Sequence, residues 1–452
     1  MNAHTQRRRM LVAGLFAVLV AGPGFAGIAR ADEAQAPGET ARAKTETVTI
    51  EHFIPHDSRS LNQFETPKDE GPAYDGFVLN WGGAFTQEFQ ALHHSNTAAP
   101  VVVAGVNTNQ LMTIGAGFDN AMANMFLNAQ LAKGIRVEMT TYLSTRHHNE
   151  SWVKDGFLLI DGSPWENAKL DALMKYLTLR VGHFEVNYGD AHFRASDAGN
   201  TMANPLVGNL LMNAFTTEIG AELYARGASG WMVMGGATGG EIRGTVENPA
   251  KRAPAFLAKL GYDHQVNDAT RVRLTGSLYT TAKSANNTLY SGSRAGSPYF
   301  DVLLNTTGSV TSSAWTGDVQ PGLSSKVTAM VVNPFVKFHG LEVFGNIEQA
   351  KGRTAVETTE RTWKQLAGEG LYRFCNDQFY VVGRYDTVKG RLATVPNDVT
   401  VNRVQAGGGW FLTPTVMMKL EYVKQQYQDY PLTNILHGGE FEGTMITGVV
   451  SF

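Results

Sequence analysis

The feature that most constrains this chain is a two-residue rhythm that restarts many times along its length. In Arg271–Tyr279, Val272, Leu274, Gly276 and Leu278 alternate with Arg271, Arg273, Thr275, Ser277 and Tyr279. Phe379, Val381, Gly383 and Tyr385 alternate in the same way with Tyr380, Val382, Arg384 and Asp386. Val404, Ala406, Gly408 and Trp410 do so against Arg403, Gln405, Gly407 and Gly409. Successive side chains of a strand point to opposite faces, so each segment has one apolar and one polar face. The apolar face carries many Gly and Ala, with aromatics nearer the strand ends. A soluble core would carry bulky residues throughout, whereas a lipid-facing band has aromatic girdles at its two rims.

The rhythm predicts strands at 76–91, 122–131, 135–146, 152–161, 174–186, 211–226, 230–243 and 252–265. It continues at 269–283, 325–338, 341–351, 361–374, 378–388, 400–412, 415–428 and 439–452. Short turns rich in Gly, Asn, Asp and Pro recur at 132–134, 227–230, 266–268, 339–340, 375–377 and 413–415. Longer stretches lie between them, around 92–121, 146–151, 187–210, 244–251, 284–324, 352–361, 389–399 and 428–438. The connection at 162–172 is longer than the other turns, and parity assigns it to the short-turn side. The expected fold is all-β: a transmembrane antiparallel β-barrel of about 16 strands, with short periplasmic turns and long extracellular loops. No mature segment offers the roughly 18 apolar residues of a membrane helix.

Residues 1–31 read as a cleaved signal peptide. Arg7, Arg8 and Arg9 precede the apolar run Leu11–Val20, and Ala29-Arg30-Ala31 supplies a small-x-small site. Of 38 Lys+Arg, four leave with it, so 34 basic residues face 41 acidic ones, a net −7. That balance argues against a nucleic-acid partner. Residues 32–75 are rich in Ala, Thr, Glu, Lys and Pro and read as a periplasmic N-terminal segment. Within it, Glu51-His-Phe-Ile-Pro55 and Phe64-Glu-Thr-Pro67 stand out as pieces that could dock below or inside the barrel. Residues 76–452 form the barrel domain.

The single cysteine, Cys375, excludes a disulfide framework within the chain. His93-His94 and His147-His148 are adjacent pairs and lack the i,i+4 spacing of a helical zinc site. No nucleophile elbow, P-loop or metalloprotease motif is present, and Gly235–Gly240 lies inside a strand pattern with no helix after it. The expectation is a chain that is not an enzyme and needs no cofactor or metal.

About sixteen strands leave an aqueous channel, where eight would fill with side chains. The expected function is passive diffusion of small hydrophilic solutes or ions, leaning to anions. The alternative is a structural or partner-binding barrel, a sheath or scaffold for another envelope protein. Inward-facing charges of both signs include Arg136, Arg180, Lys259, Arg271, Arg273, Arg373, Arg384, Arg403 and Lys419. The acidic ones include Glu138, Glu218, Glu222, Asp263, Glu342, Glu348, Glu369, Asp386 and Glu421. Arg373, Arg384 and Arg403, with Arg271 and Arg273, are the candidates for lumen selectivity, since rings of Arg and Lys favour anions. Such charges can also pair across strands and only stiffen the wall.

The chain closes on Gly443-Thr-Met-Ile-Thr-Gly-Val-Val-Ser-Phe452, an alternating strand ending in a free aromatic residue. Such an end resembles the closing strand of bacterial outer-membrane barrels, which implies recognition by the barrel-insertion machinery. Together with Asn187-Tyr-Gly-Asp-Ala-His-Phe-Arg194, Phe215-Thr-Thr-Glu-Ile-Gly220 and Tyr142-Leu-Ser-Thr-Arg146, it resembles the phosphate-selective, O/P-type porin family. The resemblance implies a location in the outer membrane, contact with its lipid, and a homotrimer. It also implies that the third external loop, 187–210, folds into the barrel and narrows it. Asp190, His192, Arg194 and Asp197 are then the constriction candidates. The family's phosphate-selective members line the pore with a basic ladder; here the inward charges are mixed and Lys is sparse.

Overall fold

A computed structural model describes residues 56–65, 68, 74–145, 151–194, 201–208, 210–212, 216–242, 249–292, 299–308 and 316–452. The expected leader, most of the segment 32–75, Arg146, His147, His148 and the constriction candidate Asp197 lie outside these residues.

Sixteen strands of eight or more residues form one closed sheet. In chain order they are β1 (Val78–Ser95), β2 (Met122–Ala132), β3 (Ile135–Ser144), β4 (Ser151–Ile160), β5 (Leu177–Glu185) and β6 (Thr217–Arg226). Next come β7 (Trp231–Thr238), β8 (Ala255–Asn267), β9 (Thr270–Thr281), β10 (Lys326–Phe338) and β11 (Leu341–Arg353). The last are β12 (Arg361–Phe374), β13 (Phe379–Arg391), β14 (Asp398–Thr413), β15 (Val416–Gln428) and β16 (Glu440–Ser451). Each strand pairs antiparallel with the next in sequence, and β16 returns to β1 with Ala84 opposite Ser451 and Ser95 opposite Glu440. Closure leaves no unpaired edge, which a sheet in lipid cannot tolerate. The two-residue strand Gly117–Phe118 adds a patch to β1, and Val102–Val103 pairs with Val106–Asn107 in the first long loop.

The seam is built by the last residue. Phe452 donates its N–H to the Gly83 carbonyl and accepts from the Gly83 N–H, both at 2.9 Å. Gly82 permits this approach: a Cβ there would lie 2.2 Å from the Phe452 carbonyl oxygen. The Phe452 ring stands edge-on to Trp81 at 6.3 Å, and both rings are exposed on the outer wall, at 64% and 72%. Further aromatics stack on the outer face near the short-turn rim, as Phe374 on Phe379 and Phe379 on Trp410 do.

Inside and outside follow the period-two reading. Leu274 and Leu278 are exposed while Arg273, Thr275, Ser277 and Tyr279 are buried. Val404 and Trp410 face out, and Arg403 and Gln405 face in. The short turns use left-handed backbone where the strand must reverse tightly. Gly230 sits at φ +89°, and a Cβ there would meet the Asp263 carbonyl at 2.4 Å. Cys375, Asn376 and Asp377 all take positive φ, and Cys375 is exposed in its turn. The longer connection between β4 and β5 holds a short helix, α1 (Ala168–Met174), which the strand rhythm does not announce. Asn167 starts it by accepting from the Lys169 and Leu170 amides at 3.0 and 3.2 Å.

Candidate functional site: a lumen crossed by two segments

The inner wall does not face an empty bore. The third long loop folds inward, and Tyr188, Asp190, Arg194, Met202, Leu206 and Leu210 on it are buried. A second segment, 56–65, enters from the short-turn end, where Ser58 donates its amide to the Pro414 carbonyl at 2.8 Å. Its Leu61 and Phe64 are buried, and Phe64 packs edge-on to Phe335 at 5.4 Å.

The two segments meet on one cluster of charge. Arg273 on β9 grips Asp190 with two parallel bonds, Nε to Oδ2 and Nη2 to Oδ1, each 2.8 Å. Lys259 on β8 reaches Asp190 Oδ1 at 2.8 Å, and Thr275 donates to Oδ2 at 2.9 Å. The loop backbone is fixed as well, since the Asp190 amide donates to Asn333 Oδ1 at 2.8 Å. Glu65 from the second segment binds the same cations: Lys259 Nζ lies 2.6 Å from its Oε1, and Arg273 donates to its Oε2. Asn187 steadies Glu65 at 2.9 Å. Asp263 completes the group, paired with Arg271 at 2.6 Å and Arg273 at 2.9 Å.

Burial by itself raises the Glu65 and Asp190 carboxyls; Arg273 and then Lys259 outweigh it and hold both below their ordinary values, Glu65 well below. His192 is pushed down to about 3 by burial first and Lys259 second, against the raising effect of the Gly189 carbonyl. That carbonyl lies 2.6 Å from His192 Nδ1. Its imidazole is therefore a neutral contact at ordinary pH.

The other sequence candidates anchor the infolded loops. Arg194 pairs with Glu369 and lies 4.3 Å over the Phe344 ring. Arg384 binds Glu369 at 2.6 Å and donates to the Val207 carbonyl at 3.0 Å. Arg373 binds Glu342 at 2.8 Å and donates to the Leu61 carbonyl at 3.0 Å. Arg403 donates to Gln425 at 2.6 Å and to the Gly317 carbonyl at 2.8 Å. Inward acids do the complementary work: Glu421 accepts from the Val207 amide at 2.7 Å, and Glu348 from the Tyr290 hydroxyl at 2.6 Å. The five arginines proposed for selectivity thus face carboxylates, carbonyls or amide oxygens. The structure brings Asp190, His192, Arg271 and Arg273 into one cluster and sets Arg194, with Arg384, in a second around Glu369.

Sequence reasoning did not single out Glu65, Asn187 or Thr275. The only signal for Glu65 was that Phe64-Glu-Thr-Pro67 interrupts an otherwise featureless polar segment. Lys259 and Asp263 stood among the inward charges without a partner being legible.

Among the described residues, two of the cavities adjoin the segment 56–65. One of about 440 Å³ opens at the short-turn rim, lined by Ser58, Asn62, Gln63, Arg271, Arg373 and Phe411 among others. The other, about 190 Å³, lies against β2–β6 and is lined by residues including Glu138, Lys154, Asp155, Arg180, Glu185 and Glu65.

No protein-family model and no curated protein matches the sequence. Solved structures do match in shape. An anion-selective porin from Comamonas acidovorans aligns at a TM-score of 0.50 with 10% identity, over 83% of this chain and 100% of that one. The OmpT outer membrane protein of Vibrio cholerae, folded in vitro, aligns at 0.49 with 11% identity, over 85% and 100%. The outer membrane channel DcaP of Acinetobacter baumannii aligns at 0.48 with 9% identity, over 83% and 98%. At such identities the likeness concerns the fold, and this chain has the porin-type barrel fold.

Proposed function

We propose that this chain is an outer-membrane porin that lets small hydrophilic solutes or ions diffuse passively, with a lean toward anions. The observation that carries this reading is the third loop held across a sixteen-stranded barrel by Asp190 on Arg273 and Lys259. A barrel of this size without inward loops leaves a wide water-filled bore. A loop fixed inside it by charge sets a selective constriction, and here Asp190, His192 and Arg194 belong to it; Asp197, the fourth residue proposed for it from the sequence, lies outside the described residues. Arg271, Arg273, Arg373, Arg384 and Arg403 then bias the field felt by a passing ion. The reading includes export through a cleaved signal peptide, insertion guided by the C-terminal strand, lipid contact on the outer wall and a homotrimer. Kinship with the O/P-type porins belongs to it too, with solute preference altered by the paired lumen charges. Catalysis is no part of it.

Ohmic single-channel steps from the purified, folded protein in a planar bilayer are the expected result; a folded barrel that never conducts would sink the proposal. Replacing Arg384 and Arg403 by Glu should move the reversal potential toward cations under a salt gradient. An unchanged potential removes both from selectivity. The filling of the lumen by 56–65 and the described part of the third loop favours a second reading, a scaffold barrel for another envelope protein, and it predicts the absence of conductance.

A further inference from the structure

The partition between the two cavities is the segment 56–65. Ser58, Asn62 and Gln63 line the 440 Å³ cavity at the rim, and His56, Ser60 and Glu65 line the 190 Å³ cavity beyond it. Nothing in this segment is woven into the sheet. Its anchors are separate bonds, such as Ser451 to the His56 carbonyl at 2.6 Å and Arg373 to the Leu61 carbonyl at 3.0 Å. The barrel closes through β1 and β16 without it.

At its inner end the segment presents a carboxylate to a preformed cationic seat. Lys259, Arg271 and Arg273 there face Glu65, Asp190 and Asp263, three positive groups against three negative. Asp190 belongs to the loop constriction and Asp263 to the wall. Withdrawal of Glu65 leaves the seat with one uncompensated positive charge and an open donor set of Lys259 Nζ, Arg273 Nη2 and Asn187 Nδ2. A carboxylate can use all three donors, as Glu65 does with Oε1 on Lys259 and Asn187 and Oε2 on Arg273. Phe64 of the same segment adds to the plugged state, with the Arg273 guanidinium 4.5 Å over its ring.

We propose that residues 56–65 are a displaceable plug, and that Glu65 occupies a binding seat on Lys259 and Arg273 whose exchange ligand is a carboxylate-bearing solute. This inference rests on the porin reading for its transport consequence but not for the seat itself. In the plugged state the Glu65 side chain stands in for the solute's carboxylate. Arrival of a solute at the seat and withdrawal of Glu65 are then one competitive equilibrium, and the plug sets a threshold on solute concentration.

The test uses the full-length protein, Glu65→Gln and Glu65→Ala, with propionate as the free mimic of the Glu65 side chain. Glu65→Gln keeps the volume and removes the charge, so packing loss and charge loss are separated. In bilayers with chloride, both variants should conduct about twofold or more above the unchanged protein and shift toward anions. At propionate concentrations below the threshold for displacing Glu65, propionate should then lower the current of both variants and leave the parent's unchanged. Variants that conduct as the parent does, or propionate acting alike on all three, overturn the plug. Should none of the three conduct, the porin reading fails, and the seat is judged by binding alone. Line broadening of carbon-13 propionate by the variants and not by the parent then supports it; equal broadening or none overturns it.

Discussion

At the scale of single residues, the lumen shows why buried charge constrains a loop so strongly. Asp190 is fully buried and accepts four bonds or ion contacts, from Arg273 twice, Lys259 and Thr275. Removing one partner of a buried pair costs about 3–5 kcal/mol, because the charge left behind is unpaired. Asp190→Ala should therefore release the third loop; the expected outcome is faster protease cleavage within 187–210 and larger current fluctuations, with the barrel still folded. Cleavage at the parent's rate would count against Asp190 as the anchor. His192 makes the opposite kind of prediction. With its ordinary value lowered to about 3 by burial, Lys259 adding, its imidazole stays neutral at pH 5. Nitrogen-15 histidine spectra at that pH should contain a neutral-ring signal that disappears in His192→Gln, beside that of His56, which burial lowers to about 4.

At the scale of strands, the pattern of one face in lipid and one in the lumen decides which substitutions matter. Leu260 lies mid-strand on β8 and is exposed, next to the buried Lys259. Leu260→Arg places a charge on the lipid face and should cost about 2–4 kcal/mol in reversible unfolding from bilayers. The seam between β1 and β16 is a second test. The exchange between Gly83 and Phe452 supplies two ladder bonds, and Gly82 leaves room for the Phe452 carbonyl. Gly82→Val forces that carbonyl away. Each lost bond is worth about 1 kcal/mol, and a slower conversion to the heat-resistant folded form on gels is the expected readout. The longer connection with α1 carries a lesson of the same scale. Asn167 announces a helix start, yet a seven-residue helix is too short to show a clear 3.6-residue period beside so strong a period of two.

At the scale of the whole molecule, barrel closure and lumen filling are separable. Each strand pairs with its sequence neighbour, so closure draws on no loop. Replacing the described part of the third loop by a short linker should leave a folded barrel and raise conductance about twofold or more. A barrel that no longer folds would show instead that loop and wall form one cooperative unit. The strand spans were legible along the chain because side-chain alternation is a local property. Sequence places β12 at 361–374, as the structure does, and misses the end of β13 by only three residues. The short-turn positions followed from the same local chemistry.

The sequence by itself determined the wall: sixteen alternating strands, which residues face in, which connections are short, and the strand that closes the ring. Backbone geometry repeats every two residues, so neighbours along the chain carry that information. Only the tertiary structure decided what the wall encloses. Arg273 meets Asp190 across 83 residues and Glu65 across 208, while Arg194 meets Glu369 across 175. No local period encodes such pairs. They arise because an inward charge must find an opposite charge or a backbone dipole once water is displaced, and which partner it finds depends on how the two infolded segments thread the bore.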